Sequence, residues 1–144
     1  AVQPSENAMT TTDAESDTWP TEALVPTGKP YTDERGTIHN LIEVSTGSTV
    51  LIDSKAGSVR ANHFHKTDWH YCYLISGSMD YYHRSAGAPE PPERIVVSAG
   101  QMVFTPPMVE HAMKFLEDTL FITMSRNSRN HDAYEDDLVR VEVI

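Results

Sequence analysis

The chain has 144 residues, 39% of them hydrophobic, and its 11 Lys+Arg against 21 Asp+Glu leave a net charge of −10. That length suits one domain with a core large enough to need no staple, and the single cysteine, Cys72, excludes an internal disulfide framework and points to a reducing, cytoplasmic setting. The acidity argues against nucleic-acid and anionic-membrane partners, whose phosphates demand Lys and Arg, and no apolar run approaches the roughly 18 residues that span a bilayer.

In chain order, residues 1–22 are rich in Thr, Ser, Asp, Glu and Pro and are expected to be disordered, since they bury too little to offset ordering entropy. Residues 23–130 form the domain. His39–Val44 and Thr49–Ile52 read as strands around a Ser45–Ser48 turn. Val59–His65, Trp69–Ile75, Met79–Arg84, Arg94–Val97, Met102–Thr105, His111–Phe115 and Thr119–Met124 follow, rich in Val, Ile, Tyr, Phe and Thr. Ser85–Pro92, with three prolines and a glycine, is a loop. Short strands at such even spacing imply an all-β, antiparallel sandwich or barrel. Residues 131–144 form an acidic C-terminal segment expected to pack on the barrel, and His131–Asp137 is the one helix candidate. The charge therefore sits at the two ends, and the nearly neutral middle leaves room for an anionic substrate.

His63 and His65 are two apart on a strand, so both imidazoles face one side. A turn at Lys66-Thr67-Asp68 would return His70 toward the same volume, and His111 opens a later strand behind Pro106-Pro107. Four converging imidazoles suit a borderline divalent ion such as Zn, Fe, Ni or Cu. A lone HxH pair would mean little. The surrounding spacing carries the case: Gly57-x5-His63-x-His65-x4-His70-x6-Gly77, then Gly100-x5-Pro106-x4-His111.

This spacing resembles the two motifs of the cupin superfamily, with His70 where cupins usually place Glu, Met108 in place of a glycine and Phe115 in place of an asparagine. The resemblance implies a conical β-barrel, the double-stranded β-helix or jelly roll. It also implies that His63, His65, His70 and His111 hold one divalent transition metal. Asp33-Glu34-Arg35-Gly36 and Arg60–Lys66 add a weaker similarity to cupins that epimerise or isomerise nucleotide-linked 4-keto sugars. In those enzymes a histidine of the pair serves as base and a tyrosine as acid, which would make His65, Tyr73 and Tyr82 the catalytic candidates. Arg60 and Lys66 could meet an anionic group, although a solvated strand edge explains them as well. Cys72, on the His70 face, Met102 and Phe115 are expected to line the pocket.

Three readings follow. The first is a metal-dependent isomerase or epimerase acting on a sugar or nucleotide-linked keto sugar. The second is a dioxygenase using Fe, Ni or Cu, and the third a non-catalytic metal- or ligand-binding cupin. A homodimer is expected, because small barrels expose edge strands and apolar faces, with the segment after Leu24 at the interface.

Overall fold

The computed structural model of the protein describes residues 15–144, so the expected disorder of residues 1–14 lies outside the described residues. Among the described residues, eleven strands and a short C-terminal helix build the fold. They are β1 (Tyr31–Asp33), β2 (Gly36–Ile38), β3 (Ser48–Ser54), β4 (Val59–His65), β5 (His70–Ser76), β6 (Ser78–Ser85), β7 (Glu93–Ser98), β8 (Met102–Thr105), β9 (Val109–Phe115), β10 (Thr119–Ser125), α1 (His131–Asp137) and β11 (Leu138–Arg140). No described helix is long and apolar enough to cross a membrane.

Two antiparallel sheets carry the fold, ordered β3-β10-β5-β8 and β11-β4-β9-β6-β7. Their inner faces supply one core, in which Cys72, Leu74, Met79, Tyr81, Val97, Val103, Phe115 and Phe121 are almost completely buried. This is the single-domain cupin jelly roll. The two sheets face one another without joining into a closed hydrogen-bonded barrel. Strand alternation explains the pattern: His70, Cys72 and Leu74 of β5 point inward, and Tyr71 and Tyr73 point out.

The outer face of the four-stranded sheet is apolar too. Trp69, Tyr71, Met102, Phe104 and Met124 form a second cluster, covered by Trp19, Val25, Leu41, Ile42 and Val44. This cover corrects two expectations. Residues 15–22 are seated rather than loose: Glu15 Oε1 accepts from Trp69 Nε1 at 2.6 Å and Arg126 Nε at 2.8 Å, and Trp19 packs on Phe104. Residues 39–44 are irregular chain rather than a strand, because they drape over the sheet and pair with none of its edges. Leu24 pairs with Val103 of its own chain, extending the β8 edge, with Val25 N on Met102 O and Phe104 N on Ala23 O. The Asp33–Gly36 segment is the exposed turn of the β1-β2 hairpin, closed by an Arg35–Asp33 ion pair.

Candidate metal centre and cavity

The shape of β4 decides where the HxH rings point. Against β9 its register runs Arg60↔Met113, Ala61↔Ala112 and then His63↔His111, so Asn62 is an extra residue. Ala61 and Asn62 both sit in the left-handed region, with φ of 71° and 54°. This β-bulge reverses the side-chain parity. Arg60, His63 and His65 consequently all reach one cavity, which the period of two in an unbroken strand would forbid. The C-terminal segment secures the bulge: Asn62 O accepts from Val141 N at 3.0 Å, and Asn62 Oδ1 accepts from Val143 N at 3.0 Å and Ile144 N at 3.2 Å.

The second block arrives on β9. Where the cupin motif has glycine, Met108 adopts a left-handed φ of 63°, and its N–H donates to His65 O at 2.7 Å. The turn behind His111 is thus tied to the HxH strand. His111 faces His63 across the ladder.

His63, His65 and His111 are buried, with ring centroids 4.7 Å (63–65), 4.8 Å (63–111) and 6.0 Å (65–111) apart. One ligand nitrogen from each lies within 4.8 Å of the others. Burial, reinforced by repulsion among the neighbouring imidazoles, pushes His63 down to about 3 and His65 to about 4, and His111 well below its ordinary value. All three are neutral at pH 7. His111 Nδ1 donates to Val109 O at 3.0 Å, which fixes the tautomer and leaves Nε2 with its lone pair. Both ring nitrogens of His65 are buried without a hydrogen-bond partner. A buried, unpartnered imidazole is costly. A borderline divalent ion removes that cost and takes neutral imidazole as its preferred donor, so these residues fit one.

His70 belongs to a second, overlapping group of possible ligands with His65 and Asp68, whose ligand atoms also lie within 4.8 Å of one another. Its ring is 4.7 Å from that of His65, and its Nε2 lies 3.0 Å from Asp68 Oδ2, off the line of a good hydrogen bond. Asp68 is buried, and its other oxygen accepts from Asn127 N at 2.9 Å. Burial raises the Asp68 carboxyl, but His70 and the Asn127 amide outweigh it and leave the pKa below the ordinary value.

The cavity enclosed by these groups has a volume of about 140 Å³, with apolar walls at Ile52, Met113 and Phe121. Its remaining side comes from the C-terminal segment. Tyr134 of α1 rests edge-on against His65, centroids 5.5 Å apart, and the Arg129 guanidinium lies 4.3 Å from the centre of the Tyr134 ring. Arg60 also borders the cavity, donating to Ser54 Oγ at 2.6 Å and Asp53 O at 3.1 Å. Among the described residues, neither Arg60 nor Arg129 is paired with a carboxylate, unlike Arg35, Arg84, Arg94, Arg126 and Arg140.

The remaining expected site residues divide. Cys72 lines the cavity, and burial raises its thiol pKa, so it is a packing group and not a thiolate. Tyr73 and Tyr82 do not reach the cavity: Tyr73 faces the outer cluster, and Tyr82 alternates with the inward-facing Tyr81. Tyr81 is closer to the site but is fully buried and hydrogen-bonded to Thr105. Met102 belongs to the outer cluster, and Phe115 is stacked on Phe121 in the closed core, centroids 5.4 Å apart. The Lys66 side chain is exposed and contributes nothing to the cavity. His83 pairs across from His111 but stacks on Tyr81 outside the cavity lining. Sequence reading missed Arg129, Tyr134 and Asp68. Only Asp68, two residues before His70, had a local signal.

No family model and no curated protein matches the sequence. Solved structures do. QdtA, a sugar 3,4-ketoisomerase from Thermoanaerobacterium thermosaccharolyticum in complex with TDP, superposes with a TM-score of 0.67 at 17% identity, over 82% of this chain and 86% of that one. The capsular polysaccharide assembling protein CapF from Staphylococcus aureus gives a TM-score of 0.61 at 24% identity, over 82% of this chain but only 35% of CapF. ChmJ, a 3'-monoepimerase from Streptomyces bikiniensis in complex with dTDP-quinovose, gives 0.62 at 14% identity, over 72% of this chain and 63% of that one. These similarities establish a shared cupin fold.

Proposed function

We propose that the chain is a metal-dependent cupin that isomerises or epimerises a nucleotide-linked keto sugar. The observation that carries the reading is one cavity bordered by three buried neutral imidazoles and by two guanidiniums without carboxylate partners. Sugar ketoisomerases and epimerases among the similar structures, bound to TDP and a dTDP-sugar, support the same substrate class.

His63, His65 and His111 would hold a divalent transition ion, which when bound polarises a substrate carbonyl and acidifies the adjacent C–H. The protein's own groups do the rest. A volume of about 140 Å³, well below the roughly 300 Å³ of sites for drug-sized ligands, suits a sugar ring better than a whole nucleotide sugar. The diphosphate and nucleoside therefore lie beyond the mouth, where Arg60 and Arg129 meet anionic oxygens. Ile52, Met113 and Phe121 keep water from the ring. His70, its Nε2 3.0 Å from Asp68 Oδ2, takes the proton from carbon.

The test is incubation of the zinc-, iron- or nickel-loaded protein with a panel of nucleotide-linked 4-keto sugars in deuterated water, followed by mass. Incorporation of one or more deuterons that requires the ion is the expected result. No exchange and no binding below millimolar concentration across the panel overturns the sugar reading, and dioxygen uptake with another substrate would replace it with the oxygenase.

A further inference from the structure

The acidic C-terminal segment is not a trailing end. Strand β11 adds to the edge of β4, pairing Leu138 with His65, Val139 with Phe64 and Arg140 with His63, so it runs alongside the HxH pair itself. Asp137, at the end of α1, binds the whole turn that follows His65. Its Oδ1 accepts from Thr67 N at 3.0 Å and Thr67 Oγ1 at 2.7 Å, its Oδ2 accepts from Asp68 N at 3.0 Å, and its backbone carbonyl accepts from Lys66 N at 2.8 Å. The same Oδ2 stands 3.7 Å from the unpartnered Nδ1 of His65. A carboxylate behind a metal-bound imidazole orients the ring and raises its basicity. One side chain from the C-terminal segment therefore touches the ligand, the turn beyond it and the residue that backs His70.

We infer that Asp137 is a positioning residue of the metal centre, and that docking of residues 131–144 and ion binding at His63, His65 and His111 are energetically coupled. The inference rests on the metal-holding part of the proposed function. Coupling of this kind is reciprocal: if the docked segment tightens ion binding, the ion tightens docking by the same factor. Glu135 supplies the contrast. It lies on the same helix but pairs outward with Arg140, at 3.0 Å from both carboxylate oxygens, and does not touch the residues of the turn.

The experiment measures Zn²⁺ affinity of the full chain by competition with a chromophoric chelator, for the unaltered protein, Asp137→Asn and Glu135→Gln. Asp137→Asn is expected to bind about 10–100-fold more weakly, with Glu135→Gln unchanged. The Co²⁺-saturated Asp137→Asn protein should also show a shifted visible ligand-field band, which a loss of stability alone would not produce. If Asp137→Asn fails to fold, hydrogen exchange of the unaltered protein decides: Zn²⁺ should slow the amides of the 131–144 segment about 5–150-fold. Binding by folded Asp137→Asn within twofold of the unaltered protein overturns the inference, as does exchange in that segment indifferent to Zn²⁺. Failure of the unaltered protein to bind Zn²⁺ or Co²⁺ at all strikes the proposed function instead.

Discussion

Asp68 Oδ2 lies 3.0 Å from His70 Nε2, while Asp68 Oδ1 takes the backbone N–H of Asn127. The carboxylate is buried and anchored through Oδ1, with Oδ2 beside the His70 ring, so Asp68 and His70 stand next to His65 as a second group adjoining the three-histidine cluster. His70→Gln should therefore keep its metal while slowing deuterium exchange into substrate by about 10²–10⁴-fold. Metal content falling as far as it does in His63→Ala would make His70 a fourth ligand and remove it from proton transfer.

Arg60 and Arg129 border the cavity without carboxylate partners. Arg60→Ala and Arg129→Ala should each raise KM about tenfold with kcat nearly unchanged, the loss of one charge-assisted contact of about 1–3 kcal/mol to a part of the substrate remote from the reacting carbon. Steady-state kinetics on the nucleotide-linked sugar and on its nucleotide-free counterpart check this. The second substrate should be insensitive to both changes.

Acid should unfold the metal-free protein early. The folded values of His63 and His65, about 3 and 4, lie below the unfolded value near 6.5. Below pH 6.5 the unfolded chain binds protons that the folded chain refuses. Stability is thus intact above about pH 6.5 and declines as pH falls toward 4, by roughly 2 kcal/mol for each of these imidazoles between pH 7 and pH 5. Urea titrations of chelator-treated protein at these two pH values test the sign and the size. Equal stability at both would contradict the burial of neutral imidazoles.

Gly77 turns the β5-β6 hairpin at φ +89°, and an added Cβ would lie 2.3 Å from Thr119 Oγ1 and 2.6 Å from Asp118 O. One of these neighbours is backbone and cannot move aside cheaply. Gly77→Ala should cost about 2–4 kcal/mol through overpacking and a disfavoured dihedral. Thermal denaturation with metal content in parallel checks it, and the folded fraction should retain its ion.

The sequence discloses what depends on spacing within one strand or one turn. Period-two alternation puts His63 and His65 on one face, and the same alternation, followed through, excludes Tyr73, which has the opposite parity from His70 and Cys72. It does not disclose the Asn62 bulge, because an extra residue in a ladder is visible only against its partner strand, and that bulge is what adds Arg60 to the histidine face. Leu41, Ile42 and Val44 look like a strand because they are apolar and β-branched in part, yet they cover a sheet face as irregular chain. Arg129, Tyr134 and Asp137 carry no local signal at all. Their roles arise from the return of the C-terminal segment to β4, a pairing across much of the chain.

The proposed site has His63, His65 and His111 together holding one divalent ion. Elemental analysis after loading with Zn²⁺ and removal of the excess measures it directly. About one ion per chain is expected in the unaltered protein and almost none in His63→Ala/His111→Ala, which loses two of three ligands from a preorganised site. Stoichiometric zinc in the folded double variant would contradict it.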